Sequence, residues 1–286
     1  MDEAKALCLH HNDSDGSASA AVVRRHFDLR GEIGDLKFFE MDYKVPVPFE
    51  KVGKGHQVII VDFSLVPEDM EKLLEITQDV IWIDHHQTAM EYEYSKELEG
   101  IRKIDDGSAC KLAWEYFFPD EQVPRAVELV SDFDTWTLED EDSLPFQYGL
   151  LSYPSGPDAE IWDVLLGPDP GEAGELIEEM IEDGEAICDY RDQVMDSFRR
   201  DNGFETEFEG YKCFALNSGL FGSLAFGPLM DEYDICISFT FDGEQYGVSL
   251  YSTKVDASVI AVKYGGGGHK KACGFETKKL PFKKKE

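Results

Sequence analysis

Acidic and imidazole side chains stand directly after short apolar runs at three places in the first half of the chain. The first group is His11-Asn12-Asp13-Ser14-Asp15-Gly16. Alternate side chains of an extended segment point the same way, so His11, and not His10, shares the direction of Asp13 and Asp15. Carboxylates mixed with imidazole favour manganese, iron or magnesium over a closed thiolate zinc site. An Asx-rich turn that caps the following helix is the alternative.

The second and third groups are Asp62, after Val58–Val61, and Asp84-His85-His86, after Val80–Ile83. An acidic side chain at the end of a buried strand costs several kcal/mol unless it is paired or bound to a metal ion. Taken alone, Asp62 is equally consistent with a helix N-cap ahead of Pro67. Three such groups at three strand ends together favour a metal centre.

The elements that must position these groups are strands that alternate with helices. The predicted strands Ala4–Leu9, Leu36–Met41, Val58–Val61 and Val80–Ile83 are interleaved with helical patterns such as Ala18–Phe27 and Glu68–Ile76. This alternation predicts an α/β fold whose N-terminal sheet is mostly parallel and flanked by helices. Ligands of such sheets bind beyond the carboxyl ends of the strands, which is where the three groups lie.

The composition of the chain changes after about residue 151. Pro- and Gly-rich segments over residues 152–170 indicate loops or a linker, and a long acidic helix is expected from about Glu172 to Arg199. Strand-like patterns follow Asn202, and they predict a smaller C-terminal α/β domain. The expected organisation is a catalytic metal-binding domain over residues 1–155, a linker with a connecting helix over 156–202, and a substrate-binding domain over 203–286.

Composition limits the partners of this chain. The formal net charge is −32, so most of its surface repels long nucleic acid, and duplex binding is not expected. A small anionic substrate in a locally cationic pocket fits better. The six cysteines are scattered without C-x-x-C pairs, which is typical of reduced thiols in the cytoplasm. No apolar run approaches the roughly 20 residues that span a bilayer, so no membrane contact is expected. The sequence does not determine the oligomeric state, and a homodimer is one possibility.

In this combination of motifs the chain resembles the DHH phosphoesterase superfamily. The resemblance rests on His11-x-Asp13-x-Asp15-Gly16, Asp62, Asp84-His85-His86 and Asp132, followed by the glycine-rich stretch from Gly265 to Phe275. That stretch is similar to the signature of the C-terminal DHH-associated domain. The order of the motifs is similar to that of the compact branch whose members degrade very short RNA, pAp and linear or cyclic dinucleotides.

The resemblance implies a centre of two divalent ions, expected to be Mn²⁺, with Mg²⁺ or Fe²⁺ as alternatives. Such a pair activates a water molecule and neutralises charge on the phosphoryl oxygens. Asp62 would bridge the ions, and Asp132 is preferred over Asp134 as the better match to the family pattern. Asp84 would orient its neighbours, and His86 would contact phosphate or protonate the leaving group. The implied ligands are His11, Asp13 and Asp62 for one ion and Asp15, Asp62, His85 and Asp132 for the other.

The glycine run has a physical interpretation of its own, because backbone without Cβ atoms lets N–H groups approach a phosphate or a base closely. A flexible turn is the alternative. The predicted substrate-binding residues are Gly266, Gly267, Gly268, His269, Lys270 and Tyr251, the last of which replaces an Arg found in many relatives. Ser108 is interpreted as a helix N-cap. The expected function is metal-dependent hydrolysis of phosphoester bonds in small nucleotides, with a pyrophosphate or polyphosphate hydrolase and a non-catalytic nucleotide sensor as alternatives.

Overall fold

The structure is a computed structural model that describes residues 5–42, 44–104 and 106–285. Ala4, the first residue of the first predicted strand, lies outside these ranges. The chain divides into two compact units, Met1–Ile187 and Cys188–Glu286. This division falls inside a long helix, and the domain boundaries expected at 155 and 202 stay predictions.

The N-terminal unit contains a sheet of four parallel strands, which are β1 (Ala6–His11), β2 (Leu36–Met41), β3 (Gln57–Val61) and β4 (Val80–Ile83). Their order in the sheet is β2-β1-β3-β4. Side chains of alternating direction enter two apolar cores, one on each face: Cys8, Ile59 and Ile81 lie in the first core, and Leu9, Ile60 and Trp82 lie in the second. Burial on both faces explains why the strands read as continuous apolar runs.

Helices flank this sheet, as the sequence predicts. They are α1 (Ser14–Leu29), α2 (Pro67–Ile76), α3 (Gln87–Glu91), α4 (Ala109–Phe117), α5 (Arg125–Asp134), α6 (Ser143–Leu150) and α7 (Ile161–Leu165). Helix α1 begins within the first acidic group and packs against α4 and β1. The short helix α7 lies within the stretch 152–170 that the sequence indicates as loops.

The long helix α8 (Pro170–Asn202) connects the two units along the chain and extends the expected helix at both ends. Across the described residues, α8 included, no helix has the length and apolar character that crossing a membrane requires.

The C-terminal unit is built on a mixed six-stranded sheet. Its elements are β5 (Gly203–Phe208), β6 (Tyr211–Leu216), α9 (Leu229–Glu232), β7 (Ile235–Phe241), β8 (Tyr246–Tyr251), α10 (Ser258–Lys263), β9 (Gly267–Gly268) and β10 (Ala272–Thr277). The strand order is β5-β6-β7-β8-β10-β9. One face carries Ile237, Leu250 and Phe275 and packs against Ile260 of helix α10. The opposite face carries smaller and more polar side chains at its centre, among them Ser238 and Ser249.

Candidate functional site

The first acidic group lies where β1 passes into α1. His11 Nδ1 lies 2.6 Å from Asp13 Oδ2, and Asp13 Oδ1 accepts a hydrogen bond of 2.9 Å from the Gly16 backbone N–H. Asp13 is therefore also the N-cap of α1, so the capping and metal interpretations both describe the same side chain. A Cβ at position 16 would lie 2.3 Å from the His11 carbonyl oxygen, which explains the glycine. His10 is buried, and its ring bonds the His11 carbonyl.

Asp15 is buried and anchored at the amino end of α4. Its carboxylate accepts hydrogen bonds from the Ser108 hydroxyl at 2.5 Å and from the backbone N–H groups of Ala109 and Cys110, both at 2.9 Å. Ser108 occupies the N-cap position of α4, as the sequence predicts, but its side chain makes no capping hydrogen bond to the helix. Asp15 satisfies the unpaired N–H donors of α4 instead, and this contact fixes its position.

Asp62 follows β3 and is almost fully enclosed, with 1% of its surface exposed. Its backbone has φ of +54°, in the left-handed region that favours glycine or asparagine. Neither carboxylate oxygen accepts a hydrogen bond from a described donor group. Burial, together with the charges of Asp15 and Asp13, raises the pKa of Asp62 well above its usual value.

The third group is organised by Asp84, which is completely buried. Asp84 accepts hydrogen bonds from the Ser64 hydroxyl at 2.5 Å, from the backbone of His85 at 2.8 Å and from His86 Nδ1 at 2.8 Å. The hydrogen bond to Asp84 raises the pKa of His86, whereas burial lowers the pKa of His85. The two neighbouring imidazoles are therefore biased toward different protonation states.

The two candidate aspartates of α5 have opposite surroundings. Asp134 Oδ2 lies 3.2 Å from His85 Nε2, and burial together with the charge of Asp15 raises the pKa of Asp134 well above the usual value. Asp132 instead accepts hydrogen bonds from Thr137 Oγ1 at 2.5 Å and Ser143 Oγ at 2.6 Å, and it holds the loop after the helix. Residues two apart on a helix point to nearly opposite sides. The structure thus corrects the preference for Asp132 and brings Asp134 to the centre.

Three overlapping sets of ligand atoms result, and within each set the atoms lie within 4.8 Å of one another. His85 Nε2 lies 3.4 Å from Asp62 Oδ1 and 3.7 Å from Asp15 Oδ2, and Asp62 Oδ2 lies 3.7 Å from His11 Nδ1. Buried carboxylates at such distances repel one another unless a cation or protons lie between them. The donor set therefore fits hard divalent cations. The sets are His11, Asp13 and Asp62; Asp15, His85 and Asp134; and Asp62, His85 and His86.

A strained loop lies beside this cluster, and local sequence patterns do not predict it. Trp136 and Leu138 have φ of +55° and +46°, although neither is a glycine. They belong to the loop that Asp132 holds, which begins directly after Asp134. Such backbone strain persists only where its surroundings enforce it, and it is frequent at functional sites. Trp136 is 43% exposed, and the centroid of its ring lies 5.5 Å from that of Phe133.

In the C-terminal unit the glycine run forms part of the sheet edge. Gly267 and Gly268 pair with β10, and His269 and Ala272 close the hairpin through backbone hydrogen bonds of 2.8 and 3.2 Å. A Cβ at Gly266 would lie 2.0 Å from the Gly274 carbonyl, and one at Gly268 would lie 2.7 Å from Cys273 Cα. Packing alone accounts for those two glycines. A Cβ at Gly267 would have no heavy atom within 4 Å, so packing does not explain why residue 267 is a glycine.

A cavity of about 700 Å³ lies beside this edge, within the C-terminal unit. Tyr251 and Gly266 line it, whereas Gly267, Gly268, His269 and Lys270 are exposed and do not belong to its lining. The structure thus brings two of the six predicted substrate-binding residues into one cavity. The remaining lining includes Ser238, Thr240, Ser249 and Glu276 of the polar face of the sheet and Gln245 of the turn before β8.

The chain is similar in sequence and in fold to several known proteins. Residues 5–131 match the family model described as DHH family, N-terminal domain. The oligoribonuclease NrnB of Bacillus subtilis is 26% identical over 297 residues, which cover 92% of this chain and 71% of NrnB. The pGpG-specific phosphodiesterase PggH of Vibrio cholerae superposes over 96% of this chain and 93% of PggH, with a TM-score of 0.51 at 15% identity. RecJ of Thermus thermophilus in complex with Mn²⁺ superposes over 95% of this chain and 49% of RecJ, with a TM-score of 0.51 at 16% identity. At these identities the two superpositions show a shared fold.

Proposed function

We propose that the chain is a phosphoesterase of the DHH superfamily, whose N-terminal domain model matches residues 5–131, and that it hydrolyses phosphoester bonds in short nucleotide substrates with two divalent cations. The observation that carries this proposal is the position of Asp62. Its two buried oxygens face one set of ligand atoms with His11 and another with His85. One carboxylate shared by two sets is what a bridging ligand requires.

We assign one cation to His11, Asp13 and Asp62, and the other to Asp15, Asp62, His85 and Asp134. The chemistry that such a pair supplies when bound is activation of water and neutralisation of charge on phosphoryl oxygens. Mn²⁺ is the preferred candidate because RecJ, which shares the fold, is described with Mn²⁺, and mixed Asp and His donors suit that ion. Mg²⁺ and Fe²⁺ are the alternatives to test.

The side chains around the centre have separate tasks in this proposal. Asp84 holds His86 through Nδ1, which leaves Nε2 as the ring nitrogen available to a phosphate or a leaving-group oxygen. The raised pKa of His86 favours the protonated ring that such a contact needs. Asp15 is held by the amino end of α4, and its Oδ2 atom lies 3.7 Å from His85 Nε2.

Short nucleotides are the proposed substrates. NrnB is named an oligoribonuclease and PggH a pGpG-specific phosphodiesterase, and both names describe phosphodiesters of nucleotides. The formal net charge of −32 disfavours long or duplex nucleic acid. The six cysteines are free thiols, which supports action in a reducing compartment such as the cytoplasm. We propose that the glycine-rich edge, together with His269 and Lys270, binds the substrate.

The test is a parallel assay of the full chain with Mn²⁺, Mg²⁺ or Fe²⁺ and with pAp, linear and cyclic dinucleotides, short and long single strands, and pyrophosphate. We expect hydrolysis of dinucleotides and oligonucleotides up to about four residues, and its loss with chelator. Preferential hydrolysis of pyrophosphate, or of long strands, would contradict the proposed substrate class. Nucleotide binding without any hydrolysis would favour a sensor.

A further inference from the structure

We propose that the cavity on the polar face of the C-terminal sheet binds a guanine base, which Glu276 and Gln245 recognise. This inference rests on the proposed function for its substrate class, because it names the base that a short nucleotide substrate carries. It assigns the cavity to the base, and not to a phosphate group.

The floor of the cavity is built from small residues in register across three strands. Ser238 of β7 pairs with Ser249 of β8, which pairs with Gly274 of β10, and the next row of the same face is Thr240, Gly247 and Glu276. Alternate residues of a strand point to one face, so these two rows lie side by side. Glycine and serine leave the backbone uncovered over a flat area, on which a planar ring has room to lie.

The charge of the lining argues against a phosphate in this place. Among the described residues that line the cavity, none is a lysine, an arginine or a histidine, and Glu276 is the sole carboxylate. A phosphate group needs cationic or N–H donors, and a carboxylate repels it. The hydroxyl groups of Ser218, Ser238 and Ser249 suit a neutral polar group.

Glu276 and Gln245 select among the bases. Gln245 Nε2 donates a hydrogen bond of 2.7 Å to Glu276 Oε2, which fixes the carboxylate and leaves Glu276 Oε1 and Gln245 Oε1 as acceptors. Guanine presents two adjacent donors, N1–H and the 2-amino group, on one edge. Adenine and cytosine present one amino group beside an acceptor, and uracil presents one N–H between two carbonyls. The pair of acceptors therefore matches guanine best.

The register also gives the direction of a bound nucleotide. Tyr251 lines one end of the cavity, and Gly247 with Glu276 lines the other. These rows are four residues apart along β8, which is about 14 Å at 3.4 Å per residue. That length accommodates a nucleoside monophosphate whose base lies at Glu276 and whose phosphate lies toward Tyr251, which pairs with Ala272 beside His269.

The experiment measures binding of GMP, AMP, CMP and UMP to the full chain by calorimetry without added metal. We expect GMP to bind at least tenfold more tightly than the other three nucleotides. Glu276→Gln should reduce this preference to threefold or less. The matched control is Glu244→Gln, which makes the same change of charge at an exposed residue outside the cavity lining and should leave the preference unchanged.

A second variant tests the location without relying on Glu276. The nearest atom to a Cβ at Gly247 is Thr240 Oγ1 at 3.7 Å, so Gly247→Val fits the strand while its side chain occupies the cavity. It should weaken binding of GMP by more than tenfold and preserve the melting temperature. Equal affinity of the wild type for all four nucleotides, or unchanged GMP binding by Gly247→Val, would overturn the base site.

Hydrolysis assays with Mn²⁺ separate this inference from the proposed function. Hydrolysis of dinucleotides without a preference for guanine in binding or turnover would overturn the base site and leave the phosphoesterase function standing. Preferential binding of GMP without hydrolysis of any substrate would support the base site and contradict the proposed function.

Discussion

Asp62→Asn should make the metal-free protein more stable and at the same time abolish its activity. Asparagine has nearly the same shape as aspartate and tolerates the left-handed backbone found at this position. The substitution replaces an ionisable carboxyl group, whose pKa is raised by burial and by the charges of Asp15, Asp13 and Asp134, with a neutral amide. It therefore tests the electrostatic conflict at the site with little change in packing.

The expected magnitude follows from two opposing terms. Enclosing an unpaired carboxylate costs several kcal/mol, whereas an unsatisfied buried amide costs about 1–3 kcal/mol, so the variant should gain about 1–3 kcal/mol without metal. Each kcal/mol corresponds to roughly 2–4 °C in a unit of this size, so the melting temperature should rise by roughly 2–12 °C in chelator. Mn²⁺ at about a hundred times its Kd would stabilise the wild type by about 2.7 kcal/mol and the variant far less.

The assay is thermal unfolding in chelator and in Mn²⁺, with hydrolysis of a dinucleotide measured on the same samples. The order of stability should invert between the two conditions, and activity should fall more than about a thousandfold because the shared ligand is lost. Asp28→Asn, an exposed carboxylate on α1, is the control and should change neither quantity. A variant less stable than the wild type in chelator, or one with an undiminished response to Mn²⁺, would refute the shared-ligand argument.

Substitutions at Asp134, Asp132, Trp136 and Gly16 test the surroundings of the centre. Asp134→Asn should abolish activity and the stabilisation by Mn²⁺, whereas Asp132→Asn should lower the melting temperature and retain that stabilisation, as thermal unfolding can show. Trp136→Gly should relieve about 1 kcal/mol of left-handed strain and raise the KM for nucleotides, and an unchanged KM would remove the indole from substrate contact. Gly16→Ala should destabilise the protein by about 1–3 kcal/mol through its clash with the His11 carbonyl, while Gly34→Ala, with open space, should be neutral in denaturant unfolding.

The sequence predicts the N-terminal sheet well because each strand is a continuous apolar run that ends at a polar group. The fold class is confirmed, and β1, β3 and β4 are neighbours in the sheet, so their carboxyl ends meet at one edge. For this reason the sequence alone suffices to group His11, Asp62 and Asp84. The elements that carry the site are local in sequence, and local patterns are sufficient to find them.

The sequence does not decide between Asp132 and Asp134, because it does not give the rotation of α5 about its axis. About a hundred degrees of rotation per residue places the two side chains on nearly opposite sides of the helix, and packing of α5 against α1 and α4 selects which one faces His85. The contact of Asp15 with Ser108 spans 93 residues and is equally invisible to local patterns. Both features depend on tertiary packing.

The structural costs of this fold are concentrated around the candidate centre. Among the described residues other than glycine, five have positive φ, and three of them, Asp62, Trp136 and Leu138, lie in the centre or in the loop directly after Asp134. Both oxygens of Asp62 and His85 Nε2 are also buried without a hydrogen-bond partner among the described groups. Strained backbone and unsatisfied polar atoms are each unfavourable, and bound cations would satisfy the polar atoms directly. Binding of the cations and stability of the N-terminal unit should therefore be coupled, and the inversion expected for Asp62→Asn is the direct measure of that coupling.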